Sequence, residues 1–250
     1  MWIATNPNGL CNRLKCIISV LCIDPGAKVW WPRNEVASCD FNDLFSDNMS
    51  LDEIPSNAKV YKHWFFAVSE EMTQLDPWQC GPLDFQFGMV ELSNKRAILD
   101  AISKLNPQQK LVNKAKKFSD SLPDECVAVQ VRSWTGSSPR KDKFDISKYF
   151  EVLDTLPGTF FVSGDSEVCI EQLTKRYGKG RIFSTKYSTH FGDRQSAFGD
   201  RRSAIGMQDI FVDFLIASQC DHIVGSGRST FTEMCWWWGG GVAKLDLIDC

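Results

Sequence analysis

The chain has 250 residues, a net charge of −3, an apolar fraction of 43% and a charged fraction of 24%. That length permits one large domain or two of about 125 residues, either able to bury a real core. The composition is that of an ordinary globular protein, and its slight acidity excludes a nucleic-acid binder that works through a broadly basic surface, though not a local basic pocket.

Trp2 to Thr5 reads as a short strand, followed by the turn formers Asn6-Pro7-Asn8-Gly9. Leu10, Leu14, Ile17, Ile18, Leu21 and Cys22 then recur at helical spacing over Leu10 to Ile23. Asn12, Arg13 and Lys15 occupy the first turns of that helix. A basic pair near a helix N-terminus opposes the macrodipole unless an anion lies nearby. A functional site at Asn8, Gly9, Asn12 and Arg13 therefore competes with a plain solvated helix face. Lys28 to Trp31 is a second strand ended by Pro32, Cys39 to Pro55 is mixed and acidic, and Lys59 to Phe66 is a third strand rich in β-formers. Residues 67 to 92 show no period and are broken by Pro77, Gly81, Pro82 and Gly88. Loops of this length inside a compact domain are usually functional. Trp64, Trp78, Phe85 and Phe87 are candidates for stacking on a sugar ring, with core packing as the simpler use. Ser93 to Leu105 and Asn106 to Ser119 are predicted helices, the second with Asn106 as N-cap and Pro107 at the first helical position. The polar run from Ser119 to Glu125 marks the expected domain boundary, giving domains 1–119 and 120–250.

Beyond it the pattern becomes regular. Strands are expected at Cys126–Val131, Phe160–Ser163, Arg181–Ser184, His222–Val224 and Val242–Leu245. Helices are expected at Ile146–Leu156, from Gly164-Asp165-Ser166 to Tyr177 with Gly178 as a left-handed cap, at Met207–Cys220 and at Phe231–Trp238. Strands alternating with helices imply an α/β fold with a parallel sheet covered on both faces. Ligands of such sheets bind beyond the carboxyl ends of the strands. Arg132, Asp165 and the stretch Gly225 to Thr230 all fall there. In that last stretch, Gly225-Ser226-Gly227-Arg228-Ser229-Thr230 offers hydroxyls, a guanidinium and the free N–H groups of a helix start, a combination that suits a phosphate. A flexible turn with Ser229 as an ordinary N-cap is the plainer alternative. Between them lies a tandem heptad, Gly192–Phe198 followed by Gly199–Ile205, most simply a duplicated loop segment.

The ten cysteines do not form a framework by spacing. Cys16, Cys22, Cys126, Cys169, Cys220 and Cys235 sit among apolar residues, where they act as small hydrophobes. No Cys-x-x-Cys pair occurs and His63, His190 and His222 are scattered, so no metal site is expected. The N-terminus lacks signal-peptide features, and no run approaches the roughly 20 apolar residues of a membrane span. A soluble, cytoplasmic protein is expected, with the soluble catalytic domain of a membrane-anchored or secretory-pathway enzyme as the alternative.

These motifs resemble the GDP-fucose-dependent fucosyltransferases, which include α-1,6-fucosyltransferases, nodulation fucosyltransferases and protein O-fucosyltransferases. Gly9-Leu10-Cys11-Asn12-Arg13-Leu14 is similar to the glycine-asparagine loop after that family's first strand. Val127 to Arg132 resembles its strand ending in His-x-Arg, and Phe160 to Asp165 its intervening strand ending in aspartate. Val212 to Asp221, continuing through Arg228 to Glu233, resembles its helix–strand–Ser-Ser/Thr block. The blocks occur in family order and span most of the chain. The resemblance implies a GT-B architecture, two Rossmann-like domains with parallel sheets facing across a cleft, with the acceptor on the N-terminal side and the donor bound mainly by the C-terminal domain without a metal or other cofactor. Departures are Gln130 in place of the usual histidine, Ser133-Trp134-Thr135 in place of the basic-acidic run of the α-1,6 branch, and a final strand in place of a C-terminal helix. A compact or divergent member is expected.

The resemblance also implies roles. Arg132 would be catalytic, binding the β-phosphate of the leaving diphosphate. Arg228, Ser229 and Thr230 would complete the phosphate site, Asp213 would recognise guanine or, four residues after Asp209, belong to a solvated acidic helix face, and Asp165 would contact ribose or fucose or simply cap its helix. Gly9 and Asn12, across the cleft, would approach the sugar–phosphate linkage. No acceptor base stands out among Asp43, Glu70 and Glu71. The function implied is inverting transfer of fucose from GDP-fucose to a glycan or glycoside hydroxyl. A GT-B transferase using another sugar nucleotide, and a non-catalytic carbohydrate- or nucleotide-binding protein, are the rivals.

Overall fold

Strands alternating with helices build two parallel sheets, one in each half of the chain. The computed structural model describes residues 1–63, 65–74, 91–133, 144–185 and 203–249. It forms two compact units that part at Gln109 and Lys110, with Ser203 and Ala204 grouped with the first.

The first unit runs β1 (Trp2–Ala4), α1 (Leu10–Ile23), β2 (Lys28–Trp30), α2 (Phe41–Leu44), β3 (Ser50–Leu51), β4 (Lys59–Tyr61) and α3 (Leu92–Ile102), with a 3-10 turn at Glu71–Gln74. Its parallel sheet has the order β3-β2-β1-β4. The chain moves outward from β1 through β2 to β3 and then returns to β4 on the other side, so the direction of winding reverses between β1 and β4. Helix α1 packs on α3, and its apolar positions Leu10, Leu14, Ile17, Ile18 and Leu21 are buried. The polar side of α1 departs from expectation. Arg13, Lys15 and Ser19 are buried as well, so there is no solvated face over these turns.

The third strand is shorter than its β-forming residues predict. Pairing holds through Tyr61, after which the Asn6 amide takes the Lys62 carbonyl at 2.8 Å, a side chain replacing the next rung of the ladder. The expected N-terminus at Asn106-Pro107 is also overridden. Asn106 instead binds Asp47 through N at 2.7 Å and Nδ2 at 2.6 Å, Pro107 bridges to Phe45, and the helix starts at Gln109.

The second unit contains α4 (Gln109–Ser119, from Lys110), β5 (Val127–Val131), α5 (Ile146–Leu153), β6 (Phe160–Gly164), α6 (Glu167–Tyr177), β7 (Ile182–Phe183), α7 (Ala204–Ala217, from Ile205), β8 (His222–Ser226), α8 (Thr230–Trp238) and β9 (Lys244–Ile248). Where the polar run after Ser119 predicts a domain boundary, α4 belongs with the second unit. Lys114 reaches Asp209 at 2.5 Å, and Phe118 sets its ring edge on Phe161 at 5.6 Å. The parallel sheet has the order β7-β6-β5-β8-β9. Val127, Val129 and Val131 of the central strand pack with Val162, Tyr149, Leu153 and Leu173 on one face. Covered on both faces, β5 and β6 read as nearly continuous apolar runs.

Close helix packing on the other face requires glycine. A Cβ on Gly225 would lie 2.6 Å from Thr232 Oγ1, so α8 rests directly on β8. Gly178 ends α6 with φ at 84° and ψ at 154°, a backbone that favours glycine but is not the left-handed helical cap its position predicts. The eight described cysteines are free thiols, and burial pushes those of Cys22, Cys39 and Cys220 up to about 12, as expected of small core hydrophobes. Cys80 and Cys250 lie outside the described residues. No helix among the described residues is long and apolar enough to cross a membrane.

The packing of α7 against α8 can be tested at Gly239, where a Cβ would sit 2.4 Å from the Ser218 carbonyl oxygen. Gly239→Ala is expected to cost about 1–3 kcal/mol through overpacking. Gly180→Ala, whose Cβ meets nothing within 4 Å, should stay within about 0.5 kcal/mol of wild type. Urea unfolding of the two variants measures the difference.

Candidate functional site

In the second unit the winding direction reverses between β5 and β8, and ligands of open α/β sheets bind at such a point, outside the carboxyl ends of the strands. The segments that leave the sheet there begin with Arg132 after β5, Asp165 after β6 and Gly227 after β8. Val131 pairs with Gly164, which sets Arg132 beside Asp165.

Asp165 is 3% exposed, yet both of its oxygens are engaged. Oδ2 accepts from Arg132 Nη1 at 2.7 Å, and Oδ1 accepts from Ser133 N and from Ser133 Oγ, each at 2.7 Å. Such charge-assisted bonds offset the cost of burying a carboxylate. The Arg132 side chain is 23% exposed and hence reaches the rim while its plane is fixed from below. A guanidinium held this way keeps the fork geometry that suits phosphate oxygens. Asp165 thus acts on Arg132 and Ser133 and is not the cap of its helix; the N-cap of α6 is Ser166.

Behind Arg132, Gln130 is buried, and its Oε1 accepts from Thr232 Oγ1 at 2.9 Å. Tyr149 of α5 donates its hydroxyl to the Gln130 carbonyl at 3.1 Å. The β8–α8 turn is pinned by Gly227 N to Ile248 O at 2.9 Å, Ser229 N to Ser226 O at 3.1 Å and Arg228 N to Ser226 Oγ at 3.3 Å. Ser229 occupies the N-cap position with extended backbone, but its hydroxyl makes no capping bond. The plain side-chain cap is therefore not formed. Thr230 opens the helix beside it, and the first-turn N–H groups carry the positive end of the macrodipole.

Two expected members stand apart from this cluster. Arg228 is half exposed and turns to Asp249 at 3.4 Å, a weak surface pair. Asp213 is buried on α7 and accepts from the Thr185 hydroxyl beyond β7, at the edge of the sheet two strands from β5.

In the first unit, Gly9 is the N-cap of α1 with φ at −68°, a value open to any residue, and nothing lies within 4 Å of where its Cβ would be. Neither backbone conformation nor packing within the protein calls for glycine there. The side-chain oxygen of Asn12 is buried without a hydrogen-bond partner. Of the acids considered as bases, Asp43 accepts from Asp40 N at 2.8 Å in a capping box, Glu70 pairs with Lys59, and Glu71 opens the 3-10 turn. Trp64, Trp78, Phe85, Phe87 and the heptad repeat up to Arg202 lie outside the described residues; Ala204 and Ile205 of the second copy begin α7.

Ser133, Tyr149 and Thr232 were not legible as site residues. Ser133 directly follows Arg132, and a hydroxyl next to a rim arginine is a usable signal. Tyr149 and Thr232 act through contacts that only the fold creates.

No family profile and no curated protein sequence matches the chain. Solved structures do. NodZ α-1,6-fucosyltransferase soaked with GDP-fucose, from an enzyme also solved from Bradyrhizobium, superposes with a TM-score of 0.57 at 11% identity, covering 95% of this chain and 92% of that one. A mutant of Arabidopsis thaliana FUT1 in complex with GDP gives 0.55 at 13% identity, covering 95% and 67%. POFUT1 in complex with GDP gives 0.51 at 13% identity, covering 100% and 99%. The chain shares their fold. It is α/β and GT-B-like, with two Rossmann-like units each built on a parallel sheet.

The Asp165 cluster predicts its own disruption. In Asp165→Asn an amide group must face either Arg132 Nη1 or the Ser133 N–H, donor against donor. One buried donor then loses its acceptor, at a cost of about 1–3 kcal/mol. Chemical denaturation should show that loss, whereas Asp249→Asn, on the exposed Arg228 pair, should change stability by less than about 0.5 kcal/mol.

Proposed function

We propose that this chain is an inverting glycosyltransferase that moves fucose from GDP-fucose to a hydroxyl of a glycan or glycoside. The observation that carries this reading is the buried Asp165 holding Arg132 on the rim where the sheet reverses direction, in a chain whose fold is that of structures solved with GDP-fucose or GDP.

The reaction breaks the bond between the anomeric carbon and the β-phosphate oxygen, and the bonding pair leaves with the phosphate. The sugar becomes oxocarbenium-like as the acceptor oxygen approaches from the opposite face, and the acceptor proton is lost as the new bond forms. Negative charge therefore grows on the leaving diphosphate, and fixed donors aimed at it lower the barrier. In this reading Arg132 supplies the charge, and its orientation costs nothing at the moment of reaction because Asp165 has already set it. The hydroxyls of Ser229 and Thr230 and the N-terminus of α8 are the second set of donors. These groups provide the stabilisation from the protein itself, so the scheme calls on no metal. Asp213 is the guanine-reading carboxylate, exchanging the Thr185 hydroxyl for the N1–H and N2–H donors that adenine does not present together.

Calorimetric titration with GDP, ADP and UDP comes first, with GDP expected to bind tightest. A preference for ADP or UDP would remove the role given to Asp213. Arg132→Ala should lower kcat for transfer from GDP-fucose on the order of 100-fold or more, and full activity in that variant would reject the mechanism. If GDP binds but neither GDP-fucose nor GDP-mannose is cleaved or transferred across an acceptor library, the protein is a nucleotide-sugar binder and not a transferase.

A further inference from the structure

The amino end of the second sheet, opposite the rim, holds a cavity of about 390 Å³ that the proposed reaction does not use. Its walls come from the ends of α4 and α7, the turn between α5 and β6, and the first residues of β5 and β8. Two free thiols line it, Cys126 and Cys220, and each is only partly buried. Cys11, Cys16, Cys39, Cys169 and Cys235, by contrast, are sealed in the core. Among the described residues no set of three His, Cys, Asp or Glu side chains is arranged to hold a metal, so the two sulfurs form a pair without a third metal ligand.

Strand register brings the two together. β5 and β8 are parallel neighbours, with Ala128 opposite Ile223. Continued two residues towards the amino ends, that register sets Cys126 opposite Asp221, the residue next to Cys220. Adjacent strands lie about 4.8 Å apart, and a disulfide spans Cα separations of about 4.4–6.8 Å. The sulfurs also share a face of the sheet. Val127 packs with Tyr149 and Leu153 of α5, so its neighbour Cys126 points to the other face, the one on which Gln130 meets α8. Helix α7 packs with α8 on that face, and the Cys220 sulfur lies back on α7, 3.7 Å from the Ile216 carbonyl. Burial pushes the Cys220 thiol up to about 12, and the nearby Cys126 thiol is the next cause. A thiol so raised is a poor nucleophile in an encounter from solution. Proximity compensates, because once one sulfur carries a mixed disulfide the second attack is intramolecular.

We propose that Cys126 and Cys220 are a modification site, a dithiol that small uncharged or cationic disulfides entering the cavity convert to an internal disulfide. The lining carries the carboxylates of Glu125 and Asp221 and no lysine or arginine, so it selects against an anionic reagent. Asp221 also disfavours the Cys220 thiolate, which makes Cys126 the first attacker. Its thiolate attacks one sulfur of the reagent, the reagent's S–S bond breaks, and the first half leaves with the bonding pair and takes up a proton. The Cys220 thiolate then attacks the Cys126 sulfur, and the second half leaves in the same way. The protein gives up two electrons and two protons, and the reagent is reduced to two thiols. The new bond ties the end of α7 to the start of β5. This site does not depend on the proposed transferase activity.

Cystamine, a small cationic disulfide, is the probe, with oxidised glutathione as its anionic counterpart. The folded protein is treated with each, remaining thiols are alkylated, and tryptic peptides are mapped by mass spectrometry. The peptides Phe118–Arg132 and Ser203–Arg228 each carry one cysteine, so a link between them reports this pair alone. Cystamine is expected to form that link about tenfold faster than oxidised glutathione, and dithiothreitol to reverse it. In Cys126→Ser and in Cys220→Ser the remaining thiol should stop at the mixed disulfide with cysteamine. The linked protein, its chain closed between Cys126 and Cys220, should melt on the order of 5–10 °C above the reduced form, a rise that neither variant shows. Both thiols recovered alkylated after cystamine, or a mixed disulfide in wild type that does not resolve into the link, would overturn the pair. Equal rates with the two reagents would overturn the selection by charge. Should a serine variant not fold, the wild-type peptide map decides. The map needs no nucleotide, so failure of GDP to bind would sink the GDP-fucose reading and leave this site standing.

Discussion

Asp165 accepts hydrogen bonds from Arg132 Nη1, Ser133 N and Ser133 Oγ while almost completely buried, and the placement of Arg132 depends on that arrangement. The arrangement is in turn a product of the sheet. Parallel pairing of β5 with β6 runs to Val131 and Gly164, and Asp165 N continues the ladder to Val131 O at 3.3 Å. Gly164 lets the two strands close at that last rung, since a Cβ there would stand 3.3 Å from Val131 Cβ. One residue further along each strand, the aspartate and the arginine have no alternative but to face each other. A buried carboxylate without donors would be costly, and an arginine without a carboxylate would wander on the rim. Each removes the other's liability.

The two units use the same topology to different electrostatic ends. Each has a first strand beside the point where winding reverses, and each sets an arginine near that strand's carboxyl end. In the second unit the guanidinium is balanced by Asp165 and reaches partly into solvent. In the first the guanidinium is sealed in, bonded to the Asn8 and Pro32 carbonyls and stacked on Trp31. Neutral carbonyls accept from its Nε and Nη1, Nη2 is buried without a hydrogen-bond partner, and none of these contacts offsets its charge.

The alternation of apolar strands with helices made the α/β class and most elements readable, because the central strands β5 and β6 are buried throughout and carry mostly Val, Ala and Phe. Failures came where a side chain replaced a backbone partner. Asn106-Pro107 has the form of a helix start, but Asp47 and Phe45, some 60 residues earlier, hold it in another conformation. Tyr61 to Phe66 has the propensity of a strand, but Asn6 caps the ladder at Lys62. The rim residues Arg132, Asp165, Ser229 and Thr230 could be picked out because strand ends in parallel sheets are where ligands bind. What Asp165 does there could not, since its partners are fixed by register and not by spacing. Arg13 looked like part of a solvated face because period alone cannot tell a helix buried on one side from one buried nearly all round.

Gln130 is held in the core by its oxygen alone, its Nε2 being buried without a hydrogen-bond partner. Its side chain accepts from Thr232 of α8, and Thr232 can stand there only because Gly225 has no Cβ. The position therefore joins the central strand to the helix whose N-terminus faces the proposed leaving group. An imidazole in the same place would carry a proton that comes and goes near neutral pH, and with it a variable charge beneath that helix. An amide does not titrate. The link between β5 and α8 is then held at constant charge, and Arg132 and the macrodipole of α8 contribute positive potential at the rim.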